Sequence, residues 1–210
     1  MALLAAAINC PAQAKDTSFA PAPTVILAFG DSLTAGYGVT ESQSLPAQIE
    51  ARLKQDGYDV RVVNAGVNGD TTGGGLLRLE WVLQQTTPDV AILELGANDM
   101  LRGFEPSLTE ENLQKMIDIF SQHNIPVLLV GMKAFRNLGL EHAKAYDDVF
   151  PRLAEKNDLL FYPFLLEGVA LQPALNQGDG VHPNAQGVEK VADSLLPAVK
   201  KLIALDKKQK

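Results

Sequence analysis

Residues 24–33 read Thr24-Val25-Ile26-Leu27-Ala28-Phe29-Gly30-Asp31-Ser32-Leu33. The first seven form a short, β-branched apolar run closed by glycine, the profile of a strand buried on both faces in a parallel sheet. Downstream, Leu45, Ile49 and Leu53 recur at helical spacing after Ser44 and Pro46, until Gly57 stops them. The same alternation continues. Val60 to Asn64 reads as a strand, and Leu76 to Gln85 as a helix following the glycine run Gly73 to Gly75. Asp89 to Leu95 is a strand closed by Gly96. A capping box of Ser107 with Glu110 opens a helix striped by Leu113, Met116, Ile117 and Phe120. Pro126 to Met132 is a strand, Glu141 to Lys156 a helix with Tyr146, Phe150 and Leu153 inward, and Leu159 to Tyr162 a short strand. A last helix over about Pro183 to Leu205 rests on Val188, Val191, Ala192, Leu195, Val199 and Leu202.

Strand and helix thus alternate five times with no linker, repeat or low-complexity break. The pattern specifies one α/β domain over 24–205, a five-stranded parallel sheet with helices on both faces. The composition agrees: 210 residues, 46% hydrophobic and 20% charged, which excludes disorder and coiled coil. A chain this long needs no disulfide or metal staple. A single cysteine, Cys10, has no internal partner, and one cysteine with three histidines leaves little material for zinc. The net charge of -7 argues against nucleic acid, and no apolar run is long enough to span a membrane.

Residues 1–14 carry no charge; Leu3 to Ile8 is apolar and Ala12-Gln13-Ala14 reads as a small-x-small cleavage site. A secretory signal, hence a periplasmic or secreted protein, is the expectation. The competing reading is a hydrophobic tail on a cytoplasmic protein, since no basic residue precedes the run. Asn9 before Cys10 is too polar for lipid-anchor processing. Residues 15–23 read as an extension, and 206–210, ending Lys207-Lys208-Gln209-Lys210, as a solvated basic tail.

In such sheets ligands sit beyond the carboxyl ends of the strands. Ser32, after Gly30, projects a hydroxyl there; a helix N-cap by Asp31 or Ser32 is the plain alternative. Asp179-Gly180-Val181-His182 lies before the last helix, where a carboxylate can fix the tautomer of an imidazole; a turn is the alternative. Asn98, in Gly96-Ala97-Asn98-Asp99, offers an amide donor suited to a developing oxyanion, or forms an Asx turn. Gly69, in Asn64-Ala65-Gly66-Val67-Asn68-Gly69-Asp70, presents a backbone N–H or a permissive turn. His123 and His142 read as polar surface, and Gly73 to Gly75 lacks the Gly-Lys-Ser/Thr of a phosphate loop.

With Gly30-Asp31-Ser32-Leu33, the Gly69 block, Gly96-Ala97-Asn98-Asp99 and Asp179-x-x-His182 in that order, the chain resembles the SGNH (GDSL) hydrolase family from residue 24 onward. The wording around the blocks is similar to the bacterial periplasmic thioesterase/lysophospholipase and arylesterase subgroup. The resemblance implies a flavodoxin-like three-layer αβα fold, with Ser32 as nucleophile, His182 as base and Asp179 as its support. It also implies an oxyanion hole from the Ser32 N–H, the Gly69 N–H and the Asn98 side chain. The reaction implied is hydrolysis of a small-molecule acyl ester or thioester without a cofactor. Two other functions stay open: an acetylated sugar or cell-wall substrate, disfavoured by a lone tryptophan, Trp81, and a non-catalytic binding module.

The connection 163–181 is long for a strand-to-helix link and carries Phe164, Leu165, Leu166, Val169 and Leu171. It reads as a short helix packed on the core, or as part of an acyl groove lined with Met100, Leu101, Phe104 and Phe164.

Overall fold

The structure, a computed structural model, describes residues 22–134 and 139–209. The expected signal segment, Cys10 and most of the 15–23 extension lie outside them.

Strands β1 (Thr24–Gly30), β2 (Val60–Gly66), β3 (Val90–Glu94), β4 (Val127–Val130) and β5 (Leu160–Tyr162) form one sheet in the order β2-β1-β3-β4-β5. All neighbouring pairs are parallel, with Gly30 opposite Gly66 on one side and Glu94 on the other. This is the flavodoxin-like order, and its switch point lies between β1 and β3. The central strands are buried end to end, which is why they read as unbroken apolar runs rather than alternating ones.

Among the described residues eight α-helices flank the sheet: α1 (Ser32–Ala35), α2 (Leu45–Gln55), α3 (Thr72–Thr86), α4 (Ala97–Leu101), α5 (Pro106–Gln122), α6 (Leu140–Asp147), α7 (Val149–Lys156) and α8 (Ala185–Gln209). On one face α2 packs against α8; on the other α5 packs against α3 and α7. Phe29, Phe120 and Phe150 are the largest fully buried side chains, and the Phe29 and Phe120 rings meet edge to face with centroids 6.4 Å apart. Each such side chain contributes about 1.5–3 kcal/mol through burial.

Four local expectations are corrected. The helix expected over Glu141 to Lys156 is two, because Pro151 has no N–H for the Asp147 carbonyl and the chain breaks at Asp148. Helix α5 begins at Pro106 with Glu105 as its N-cap, so Ser107 and Glu110 lie inside it and form no capping box. A proline is well placed at the first helical position, where no N–H is needed. Glu110 instead pairs with Arg152 of α7 at 2.6 Å. Helix α3 takes in the glycine run, starting at Thr72 under a Thr71 side-chain cap.

The last helix starts later and ends later than expected. Pro183 is held outside it by a bridge to Asn176, and Asn184 Oδ1 accepts the Gly187 N–H. At the other end α8 continues to Gln209 past the buried Asp206, replacing a loose tail from 206.

Candidate active site

The turn from β1 into α1 is tight because Gly30 has no side chain. A Cβ there would collide with Thr34 Oγ1 and stand 2.7 Å from the Glu94 carbonyl oxygen. Asp31 caps α1, its Oδ1 accepting the Leu33 N–H at 3.0 Å. With the cap supplied by Asp31, the Ser32 hydroxyl is left to meet His182, whose Nε2 is 2.9 Å from Ser32 Oγ.

His182 sits on the loop before α8. Asp179 Oδ1 accepts the backbone N–H groups of Val181 and His182, at 2.9 and 3.0 Å, closing a turn with Gly180 at φ 70°. Its second oxygen, Oδ2, stands 2.7 Å from His182 Nδ1. That contact assigns the Nδ1 proton and leaves Nε2 as the acceptor facing Ser32. The loop is tied down by the Gln177 N–H on the His182 carbonyl, at 2.8 Å, and by Gln177 Nε2 on the Tyr37 carbonyl, at 2.7 Å. The Tyr37 ring lies against the imidazole with centroids 4.6 Å apart.

Asn98 opens α4 just beyond β3, and its Nδ2 donates to Asp31 Oδ2 at 3.0 Å rather than closing an Asx turn. Asp99, fully buried, accepts the Thr72 N–H at 2.8 Å and the Thr72 hydroxyl at 2.5 Å, which fixes α4 to the start of α3. Gly69 lies on the turn after β2 at φ 73°, and its carbonyl accepts from Arg102 Nη2 at 2.6 Å. The neighbouring Asp70 pairs at 2.8 Å with Arg78, which also donates to the Ala65 and Gly30 carbonyls. The turn is thereby lashed to the ends of β1 and β2.

A cleft of about 760 Å³, including its open mouth, adjoins Ser32, Asn98 and His182. Met100, Leu101 and Phe164 line it; Leu33, Met132, Leu166 and Leu171 extend the apolar wall, and Lys133 lines it too. Gly69 and Phe104 are not among its lining residues. Gly103, at φ 69°, turns the chain after α4, and the Phe104 carbonyl is held by the Tyr146 hydroxyl at 2.6 Å. The 163–181 connection divides its work. Leu165 and Val169 are buried in the core while Leu166, Ala170 and Leu171 face the cleft, and its one regular piece is the 3-10 turn Pro173–Leu175.

Two buried carboxyls lie beneath Ser32, one of them, Glu94, with no counterpart among the sequence-predicted site residues. Asp31 and Glu94 are each 1% exposed, and Glu94 Oε2 accepts the Asp31 N–H at 3.3 Å and the Thr34 hydroxyl at 2.7 Å. Burial pushes Asp31 up to about 6, against the pull of the Leu33 and Asn98 hydrogen bonds and of His182. Burial, then the nearby Asp31 charge, raises Glu94 well above the carboxylate range. Asp179 goes the other way, down to about 2, under the His182 backbone N–H, the His182 ring and the Val181 N–H. It therefore stays ionised beside the imidazole throughout the neutral pH range. Among the described residues, no group of three or more His, Cys, Asp or Glu is gathered to hold a metal ion.

The chain is similar in sequence and in fold to known proteins. The profile of the GDSL-like lipase/acylhydrolase family covers residues 28–190. An arylesterase of Vibrio mimicus is 39% identical over 168 residues, 80% of this chain and 84% of the relative. Thioesterase 1/protease 1/lysophospholipase L1 of Escherichia coli is 35% identical over 187 residues, 89% of this chain and 88% of the relative. The crystal structure of AlinE4, described as a SGNH-hydrolase family esterase, superimposes with a TM-score of 0.74 at 46% identity, covering 87% of this chain and 97% of that one. The chain belongs to the GDSL-like lipase/acylhydrolase family and is a hydrolase of ester bonds.

Proposed function

We propose that the chain hydrolyses acyl esters and thioesters of small molecules through an acyl-Ser32 intermediate. The observation that carries this reading is the relay of two short contacts, 2.9 Å from Ser32 Oγ to His182 Nε2 and 2.7 Å from His182 Nδ1 to Asp179 Oδ2. In the first half-reaction Ser32 Oγ attacks the acyl carbon as its proton passes to His182 Nε2; the imidazole then gives that proton to the leaving alcohol or thiol. Water, deprotonated by the same nitrogen, releases the acid and restores Ser32. Asp179, ionised throughout, stabilises the imidazolium formed in each half. The oxyanion would be met by the Ser32 and Gly69 N–H groups and the Asn98 amide, donors whose worth lies in being fixed before charge develops. The thioester part of the reading is supported by the Escherichia coli relative, and the ester part by the Vibrio mimicus one.

A fluorophosphonate probe tests the reading: it should label Ser32 alone, as read by peptide mass, and an unlabelled protein that is folded would identify a binding module instead. The cleft adds an expectation about the acyl group. Its lining is mostly apolar, which favours an aliphatic acyl chain over an acetylated sugar. Each buried methylene contributes about 0.8 kcal/mol, so kcat/KM on nitrophenyl esters should climb about threefold to fourfold per methylene from acetyl until the cleft is filled. A flat series from acetyl to long acyl would remove the cleft from the substrate site. A periplasmic or secreted location forms part of the same proposal, supported by the apolar run Leu3 to Ile8 and the Ala12-Gln13-Ala14 pattern.

A further inference from the structure

We propose that Asp31 is a positioning residue for this reaction: its carboxylate, 3.0 Å from Asn98 Nδ2, decides which end of the Asn98 amide is turned to the cleft. The proposal rests on the reading of Asn98 as an oxyanion donor. An amide has one donating end and one accepting end, and nothing in its shape separates them. A carboxylate only accepts. Beside ionised Asp31 the nitrogen must face the acid, one N–H is consumed there, and the second is left for a ligand in the cleft that Asn98 lines. Beside a protonated acid, the Asn98 carbonyl oxygen can take the O–H instead, and the cleft loses its donor.

The surroundings show why the charge settles on Asp31 and not on its neighbour. Asp31 receives the Leu33 N–H on one oxygen and the Asn98 amide on the other, and His182 from the loop before α8 favours its charged form. Glu94, at the end of β3, receives the Asp31 N–H and the Thr34 hydroxyl on Oε2, while Oε1 is buried with no hydrogen-bond partner among the described residues. Asp70, after β2, opposes the charge on Asp31 but is itself paired with Arg78 of α3. A single negative charge shared between two buried acids therefore belongs on the one with donors at both oxygens, and Glu94 keeps a proton. The N–H that Asn98 gives away thus has a catalytic consequence. With the acid pushed up to about 6, the amide is locked in its donating orientation above that pH and released below it.

A double-mutant cycle with Asp31→Asn and Asn98→Ala, run across pH on a nitrophenyl ester, tests this. Asp31→Asn should lower kcat on the order of ten- to a hundred-fold with KM changed less than about twofold, and flatten the rate change near pH 6. In the Asn98→Ala background the same substitution should cost nothing, since the donor it aims is gone. An equal cost in both backgrounds overturns the positioning role while leaving the donor role intact; wild-type turnover in Asn98→Ala overturns the donor role itself. A second measurement needs no change at Asp31. In a His182→Ala protein, free of the imidazole's own titration, the Asn98 side-chain amide ¹⁵N resonance should shift with a midpoint at or above about 6, because loss of His182 removes a favourable charge. A resonance flat with pH overturns the proposal.

Discussion

Ser32→Ala should fold as the parent does and lose ester hydrolysis by on the order of 10⁴-fold or more in kcat. The size follows from the roles being one unit. Without Oγ there is no acyl-enzyme, His182 Nε2 has no proton to take, and the oxyanion donors have only water-driven attack to assist. Stability should barely move, for a structural reason. The N-cap of α1 is Asp31, not Ser32, and the hydroxyl meets the imidazole 2.9 Å away. One lost hydrogen bond of this kind is worth about 0.5–1.5 kcal/mol. Denaturant midpoints should therefore stay close while initial rates collapse. A variant keeping a tenth of parental kcat would show that the nucleophile is elsewhere.

The parts of this molecule that were legible in its sequence share a cause: their signal is local. Strands β3 and β4 are buried along their whole length and β1 from Ile26 onward, so each is an apolar run without alternation. Ser32, Asn98 and His182 stand directly after strands or before a helix, where an α/β sheet brings its edges together. Helix ends differ from the periodic pattern where a proline decides the matter, at Pro106 and Pro151, because periodicity survives a break that the backbone does not. The Asp31–Asn98 bond spans 67 residues, and each partner already had a local explanation as a cap or a turn. Glu94 did leave a trace: it is a charged residue closing an otherwise apolar strand buried at every position. In the connection 163–181 the apolar residues were visible, but which of them face the cleft, as Leu166 and Leu171 do beside Met132, depends on how a stretch without regular helix packs.

Asn98→Ala should cut kcat by on the order of 10²–10³, about 3–4 kcal/mol, with little change in KM, since an oxyanion donor binds what exists only in the transition state. Unlike Ser32→Ala, it should also weaken the fold, and by an amount that depends on pH. The lost N–H is one of the bonds holding Asp31 below the level that burial alone would impose. Asp31 sits above its ordinary 3.8, so its proton is bound more tightly in the folded chain than in the unfolded one. Such a group costs stability progressively as pH rises from the unfolded value through the folded one, and nothing where both states are protonated. Removing Asn98 raises the folded value further and widens that window upward. The stability deficit of Asn98→Ala should therefore be small at about pH 4 and grow to about 1–3 kcal/mol at about pH 8, the range for a buried acceptor deprived of its donor. Urea midpoints at the two pH values measure it. Equal deficits would mean that Asn98 does not distinguish the two forms of Asp31, and the amide would then be held by packing, with its donating end chosen by something other than the acid.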